Sequence, residues 1–390
     1  NKLLIFSNLM KIIHIINSLK KGGAEGNLFR LCKFHKKKYK NNIDIIIITL
    51  IDNGFYEDEL KKLGVSIFSL NIFISSKLIY NIKKILTLRN FLKKENPDLI
   101  QSWMYHSNFV SLFIPRTFYY KLFWNIRHSE LNTKISKKKT ILLSIICGLF
   151  SRIVPKKIIY CSERSINFHE KYHFYSKNKN ALVYNGFSDK TFSPLNRLRV
   201  KFRKRNKIKK TDIILGYAGR YARQKNIFSM LTAFSKISKK YDNVYLYMVG
   251  RDISKENEEL NSSINKLKIK DKIFYLKQQN NLQEFYNGID LLLLVSHSES
   301  FPNVIAESML CSTPVLSSNS GCSKKIINGY GFIMKNNDYQ SIIKNLNKVL
   351  RYFKYKKKEW KFLKKNSRLQ IKKNFSIPSM ADKYLKTWIF

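Results

Sequence analysis

Acidic side chains are scarce in this 390-residue chain: 26 Asp and Glu face 73 Lys and Arg, a formal charge of +47. Part of the surplus is compositional, because Lys, Asn, Ile, Phe and Tyr are all over-used together. Such a bias does not by itself deplete Asp and Glu. The remainder reads as a working positive field toward nucleic acid, an anionic membrane or phosphorylated substrates. Cysteine is also sparse, with five residues (Cys32, Cys147, Cys161, Cys311, Cys322) at no short paired spacing. An odd, scattered set builds neither a disulfide framework nor a zinc site, so a reducing cytosol is the default compartment. Long apolar runs are missing: the best, Ile141 to Phe150, falls well short of the ~20 residues that span a bilayer. The chain starts at Asn1 with no small-residue cleavage site of a secretory signal. Met10 opens MKIIHIINSLKKGGAE, which reads as a natural first strand, so residues 1–9 are expected to be an upstream extension. Two chemical signatures are absent as well. There is no GxGxxG dinucleotide fingerprint, and no Asp-x-Asp at a strand end to require a divalent cation.

Short apolar runs alternate with helical spacing almost throughout. Strands are expected at Ile12–Ile16, Ile43–Leu50, Val65–Leu70, Leu99–Gln101, Leu122–Ile126, Lys157–Cys161 and Leu182–Tyr184, then again at Ile213–Tyr217, Val244–Val249, Lys272–Leu276, Leu291–Val295 and Pro314–Ser317. Helical patterns between them include Asn27–Tyr39, Ile79–Lys94 and Ser162–Tyr172. Near-continuous apolar strands alternating with helices make a parallel sheet covered on both faces. Two such series imply two doubly wound α/β domains: residues 1–190 and 212–374. Between them, residues 191–211 hold a dense basic run with little apolar periodicity and read as a linker. Residues 375–390 resume helical spacing after Pro378.

Three constellations carry chemistry. Gly22-Gly23-Ala24-Glu25 lies between the first strand and a helix expected to start near Asn27. There, two glycines let backbone approach an anion at a helix N-terminus; the same residues also suit a plain tight turn. Gly219-Arg220, followed by Lys225-Asn226, sits at the carboxyl end of the strand that opens the second series. A guanidinium fork and an ammonium there suit a diphosphate. Glu299-Ser300-Phe301-Pro302-Asn303-Val304-Ile305-Ala306-Glu307 follows the strand Leu291–Val295. With Pro302 as the first helical residue, Glu299 lies before the helix and Glu307 inside it. Two carboxylates so spaced can take hydroxyls at two ends of an extended ligand, while the amides of Phe301, Asn303 and Val304 face a phosphate. Among histidines, His106 follows one strand and His128, with Arg127, follows another, which makes them site candidates. His14 lies within a strand and reads as core. His297 has no partner at metal-ligand spacing, so no metal site is expected.

At these residues the chain resembles glycosyltransferase family 4, retaining enzymes of GT-B fold. The likeness runs from Met10 over nearly the whole chain, through Gly22–Glu25, Asn185-Gly186-Phe187, Gly219-Arg220, Lys225-Asn226, Glu299 to Glu307, Thr313-Pro314-Val315 and Gly321. It implies two Rossmann-like domains facing each other across a cleft, a donor site mainly on the second, and a C-terminal helix crossing back to the first. By resemblance, Glu307 binds the donor ribose, and Arg220 and Lys225 hold the diphosphate and stabilise the leaving group. Glu299 with the Phe301–Asn303 amides positions the donor sugar. Gly22 and Gly23 approach donor phosphate or acceptor, and His106 contacts the sugar near the reacting carbon. Two departures stand out: Ser312 where the family commonly has Gly, and Lys324-Lys325 where an acidic residue often follows Gly321.

The expected activity is transfer of a hexose or N-acetylhexosamine from a nucleotide-diphosphate sugar, UDP-linked by preference, to a glycan or lipid-linked oligosaccharide acceptor in surface polysaccharide synthesis. The nucleotide sugar is a co-substrate; no cofactor and no metal are expected. The expected location is cytoplasmic and peripheral, with the basic surplus against anionic lipid on the inner face of the membrane. A sugar-nucleotide epimerase of similar build is the second enzyme reading. A basic nucleic-acid-binding protein is a third, but no binding module or stacking-aromatic signature accompanies the charge, so nucleic acid is not an expected partner.

Overall fold

The computed structural model describes residues 9–389 apart from 41, 52–53, 73–77, 116–119, 132–135 and 277–280; most of the expected extension, residues 1–8, lies outside it. The chain divides into two compact units. One comprises the chain up to Gly186 together with the segment from Ile377 onward, and the other is Phe187–Ser376.

In the first unit, strands and helices alternate: β1 (Met10–Ile16), α1 (Gly23–Lys38), β2 (Ile43–Thr49), α2 (Glu57–Lys62), β3 (Ser66–Ser69), α3 (Leu78–Glu95), β4 (Leu99–Trp103), α4 (Met104–Ser111), β5 (Lys121–Ile126), α5 (Lys138–Phe150), β6 (Lys157–Tyr160), α6 (Glu163–Tyr172) and β7 (Asn180–Leu182). The strands pair in parallel in the order β3-β2-β1-β4-β5-β6-β7. Side chains alternate across the pleat. Ile12, Ile16, Ile43, Ile45 and Ile47 face one side with α1, and Ile13, Ile15, Ile46 and Ile48 face the other with α3 to α5. With both faces covered, a strand such as IDIIIIT has no solvent side and reads as a continuous apolar run.

The second unit holds α7 (Asn196–Arg205), β8 (Ile213–Ala218), α8 (Ile227–Lys240), β9 (Val244–Val249), α9 (Glu258–Lys266), β10 (Ile273–Leu276), α10 (Gln283–Gly288), β11 (Leu291–Leu294), α11 (Asn303–Leu310), β12 (Val315–Ser318), α12 (Ser323–Ile327), β13 (Phe332–Met334), α13 (Tyr339–Tyr355) and α14 (Lys357–Asn374). Its sheet order, β10-β9-β8-β11-β12-β13, repeats the pattern of the first. The expected α/β class with two doubly wound sheets is therefore the observed one. Strand β13 had no counterpart in the sequence reading.

The expected linker at 191–211 is a correction. Residues 187–211 belong to the second unit, and most of the basic run forms α7. Its innermost charges are held by the protein, while Lys201, Lys204 and Arg205 stay exposed. Arg199 Nη2 and Arg203 Nη1 both bond the Asp290 carboxylate, at 2.7 and 3.3 Å, while Lys201 and Arg205 pair with Glu284. Phe202 is fully buried on the same helix. Apolar periodicity was hidden because this helix docks through its cations. The first boundary falls at 186/187 rather than 190/191, and the second at 376/377 rather than 374/375.

The chain crosses between units at Asn185-Gly186-Phe187 and again at Ser376-Ile377. Gly186 is required by proximity: a Cβ there would lie 2.8 Å from Ile377 Cα and 2.9 Å from Met380 Cβ. Phe187 N donates to Phe375 O at 2.8 Å. The last helix, α15 (Ile377–Ile389), buries Met380, Ala381, Tyr384, Leu385 and Trp388 in the first unit beside α1. Met380 and Leu385 each contribute about 1.5–3 kcal/mol on burial. Polar bonds fix its register: Trp388 Nε1 donates to Gln101 Oε1 at 2.6 Å and Asn125 Nδ2 to Tyr384 Oη at 2.8 Å.

His14 lies fully buried here, as expected of a core residue, with Trp103 Nε1 donating to its Nδ1 at 3.3 Å. Burial, helped by His35, lowers its pKa to about 3, and burial does the same to His35. His169 is also held down at about 3, mainly by burial. Its Nδ1 is 2.7 Å from Ser165 O and its Nε2 2.7 Å from Tyr105 Oη, which suits the neutral Nδ1-protonated tautomer. All three belong to the first unit; the second has only His297, which is exposed. Imidazoles with a depressed folded pKa contribute stability that is complete above the unfolded value near 6.5 and is lost as pH falls toward 3. Each adds a slope of up to about 1.4 kcal/mol per pH unit. Hydrogen exchange at pH 7.5 and pH 5 is expected to show the first unit loosening while the second keeps its protection. Replacing His35 by Leu should flatten that pH dependence.

Candidate active site

Both sheets reverse their strand order between the first and fourth strand of their series, β1 and β4 in one, β8 and β11 in the other. Loops leaving two such neighbours run to opposite faces and open a crevice at their carboxyl ends, where ligands of open α/β sheets bind. Most candidate residues occupy these loops. Gly22 and Gly23 follow β1 and His106 follows β4; Gly219, Arg220 and Lys225 follow β8, and Glu299 to Val304 follow β11.

In the second unit the two loops are knitted together. Asn226, left-handed at φ 55°, begins α8 and sends Nδ2 to Asn337 O at 2.6 Å and Val295 O at 3.3 Å. His297 N donates to Gln224 O at 2.8 Å. This clamp sets Lys225 Nζ 2.5 Å from Glu299 Oε1, with both side chains largely buried. Ser296 Oγ donates to the same oxygen at 2.7 Å. Glu299 Oε1 thus takes two donors, and Oε2 has no partner among the described residues. Arg220 is exposed, and its guanidinium has no hydrogen bond or ion pair among the described residues. It lies close enough to act on the buried Tyr217 phenol. Burial and the Glu299 charge push that phenol up, and Arg220 opposes them. The structure therefore brings Lys225 and Glu299 into contact and leaves Arg220 beside them as an open cation.

Gly321 completes the loop from outside. Its φ is +54°, and a Cβ would overlap the Glu299 and Ser300 carbonyl oxygens. Cys322 N donates to Ser300 O at 3.0 Å. Helix α11 begins at Asn303 with Pro302 as an extended N-cap, one residue later than expected. Phe301 offers more than an amide. Its ring is buried against Phe187 and Phe375, at centroid distances of 5.9 and 5.6 Å. Glu307 lies on the α10 side of the helix, where Tyr286 Oη donates to its Oε2 at 2.9 Å. Burial and the Glu307 charge raise the Tyr286 phenol, which keeps it a donor. Sequence reading missed Ser296, Tyr286 and the Phe301 cluster. Only Ser296, three residues before Glu299 at a strand end, carried a sequence signal.

In the first unit, Gly22 is the N-cap and Gly23 the first residue of α1; the helix starts four residues before Asn27. The Glu25 carboxylate folds back so closely that a Cβ on Gly22 would overlap Oε2, and burial raises its pKa. His106 is half-buried on α4, with its pKa lowered by burial, so it is a neutral hydrogen-bonding group at neutral pH. That helix starts at Met104 in a left-handed conformation, φ 71°. Arg127 is a correction. Rather than facing a ligand, it is buried and bonded to Asn125 Oδ1 at 2.6 Å, Asn185 Oδ1 at 2.7 Å, Val183 O and Tyr384 Oη. It ties β5, the segment after β7 and α15 together, with no carboxylate among its partners. His128 is exposed, its ring 5.6 Å from Tyr105.

Residues 199–367 match the family model described as Glycosyl transferases group 1. The match covers the second unit, where the expected likeness to glycosyltransferases is borne out. Among curated proteins, the capsular polysaccharide biosynthesis glycosyltransferase CapM of Staphylococcus aureus is 27% identical over 157 residues, 40% of either chain. The O-antigen biosynthesis glycosyltransferase WclY of Escherichia coli is 23% identical over 228 residues, 58% of this chain and 60% of that one. Alignments with these relatives thus span less than two thirds of their length. Among solved structures, Anabaena HepE in complex with UDP superposes with a TM-score of 0.81 at 16% identity, covering 97% of this chain and 99% of that one. WaaG, a glycosyltransferase involved in lipopolysaccharide biosynthesis, does so at 0.72 and 14% identity, with the same coverage. These likenesses establish the fold, GT-B, with two Rossmann-like units.

Ser312 stands just past the C-cap of α11 at φ 57°, with Thr313 N bonded to Ser308 O at 3.0 Å, a geometry that favours glycine. Ser312→Gly is expected to raise stability by about 1 kcal/mol, read as a higher midpoint in urea. Gly321→Ala combines positive-φ strain with overlap at the Glu299 loop. It is expected to cost roughly 2 kcal/mol or more and to weaken nucleotide binding in calorimetry.

Proposed function

We propose that the chain is a retaining glycosyltransferase moving a hexose or N-acetylhexosamine from a UDP-sugar to a membrane-associated glycan acceptor in surface polysaccharide synthesis. The observation that carries this reading is the Lys225–Glu299 contact with open Arg220, held at the carboxyl ends of β8 and β11. A donor diphosphate meets one open guanidinium and an ammonium already anchored in place, and Glu299 Oε2 is available to a sugar hydroxyl. Glu307, fixed by Tyr286, takes the ribose hydroxyls. Relatives named for capsule and O-antigen synthesis, and the UDP complex of a structural neighbour, support the substrate class.

In the proposed reaction the acceptor hydroxyl attacks the anomeric carbon from the face the diphosphate leaves. The bond from that carbon to the phosphate oxygen breaks, its electron pair stays on the phosphate, and a phosphate oxygen takes the hydroxyl proton. Arg220 and Lys225, rather than a divalent cation, stabilise the charge that develops on the leaving group. His106, neutral by burial, serves as a hydrogen-bonding contact to the sugar and not as a charged acid. The proposal puts the enzyme at the inner face of the cytoplasmic membrane as a peripheral protein, a reading the basic surplus supports. No helix among the described residues is long and apolar enough to cross a membrane.

Thermal-shift titration with uridine, UDP and UDP-sugars tests the site. The native chain is expected to gain stability with UDP. Glu307→Ala should remove the gain for every uridine compound. Arg220→Ala should weaken diphosphates at least tenfold, about 1.4 kcal/mol, with little effect on uridine. A response to adenosine or guanosine nucleotides alone, or to none, counts against the assignment. Labelled UDP-sugar consumed only when acceptor is present separates transfer from epimerisation.

A further inference from the structure

The first unit carries an apolar surface that its own core leaves uncovered. Helix α3 buries Leu88 and Leu92 inward, yet exposes Ile79, Ile82 and Leu86 one and two turns apart on its outer side. Arg89 Nε donates to Phe113 O at 2.8 Å, which joins α3 to the end of α4, where Phe113 is itself exposed. From Phe113 a groove of about 640 Å³ runs to the end of α5, walled by Leu112, Ile146, Phe150 and Ile153. Leu149, Phe150 and Ile153 are exposed around it, at 58%, 46% and 60%. Nowhere else in the described chain are exposed large apolar side chains so dense. The groove lies at the amino ends of β5 and β6, opposite to the carboxyl ends that hold the candidate site.

Its rim is cationic. Lys121, Lys156 and Lys179 line the groove; at the far end of α5, toward the carboxyl end of β5, Lys137, Lys138 and Lys139 also stand exposed. Three lysines at a helix N-terminus oppose the helix dipole, and no acid in the first turn relieves them. From residue 79 to 156 the sequence has only three acids, and each is engaged elsewhere. Glu95 pairs with Lys11, Asp98 accepts from Lys11 N, and Glu130 pairs with Arg164. The face therefore combines exposed hydrocarbon with uncompensated positive charge, the pairing that a bilayer interface with anionic headgroups complements.

We propose that the outer face of α3, α4 and α5 docks on an anionic lipid bilayer, its apolar side chains entering the acyl boundary and its lysines meeting the headgroups. This deepens the proposed function, in which the acceptor is membrane-bound, by naming the surface that meets the membrane. The contact is in-plane, since α5 has only 13 residues.

Flotation with phosphatidylcholine vesicles, with and without 30 mol% phosphatidylglycerol (about one lipid in three, enough to set a strong surface potential), tests the surface. The full chain is expected to bind the anionic vesicles and to release as salt rises. Phe150→Glu with Ile153→Glu should weaken binding at least tenfold, and Lys121→Glu with Lys156→Glu should do the same. Tyr355→Glu with Phe362→Glu, the same charge change as the Phe150 and Ile153 pair but on exposed positions of the second unit, should leave it intact. The UDP thermal shift of every variant should match the native chain. That shift reports folding and the donor site separately, so its loss speaks against the transferase reading and not against this surface. Equal vesicle binding by face and control variants overturns the proposal. So does a native chain that ignores phosphatidylglycerol, or a dimer in light scattering that the face variants dissolve.

Discussion

The architecture depends on one topological constraint: each parallel sheet grows outward in both directions from its first strand. Right-handed crossovers then put successive helices on opposite faces, and the loops that leave β1 and β4, or β8 and β11, diverge. Divergence opens backbone and side chains to a ligand at that point and nowhere else along the edge. In the second unit it lets Lys225, arriving from β8, meet Glu299, arriving from β11, at 2.5 Å. Asn226 and Ser296 hold the two loops at that separation. A largely buried ion pair needs such support, because desolvation offsets most of the attraction unless further hydrogen bonds satisfy both partners.

Phe301 links this site to the chain path. Its ring packs between Phe187 and Phe375, the residues at which the backbone enters and leaves the second unit. The loop bearing Glu299 is therefore braced by the same aromatic cluster that fixes both crossings. In the first unit the returning helix α15 is secured by Arg127, a buried cation with only neutral acceptors, and by Trp388 above the neutral pair His14 and His35. Such a core tolerates no extra proton, which makes the helix dock pH-sensitive by construction.

Much of this was legible in the chain order. Strand positions agree within a few residues, since a strand covered on both faces must be apolar at every position and the signal does not depend on partners. The grouping of cations at 219–225 and of carboxylates at 299–307 was legible because each set directly follows an apolar strand. Other features were not. The helix at Asn196–Arg205 looked like a linker because its docking partners, Asp290 and Glu284, lie some eighty residues on. Arg127 looked like a site residue because its acceptors come from three separate segments. Tyr286 gave no sign of holding Glu307, twenty-one residues away.

The sequence by itself determined the class of fold, the number of sheets and which charged residues stand at the strand ends, because periodicity and strand-end composition are local properties. Tertiary structure alone decided which cations are solvated, which carboxylate oxygen stays open and where the chain passes from one unit to the other. Those outcomes depend on which distant groups come within hydrogen-bond reach, and over a few ångströms the same Lys or Arg is either a surface charge or a buried anchor.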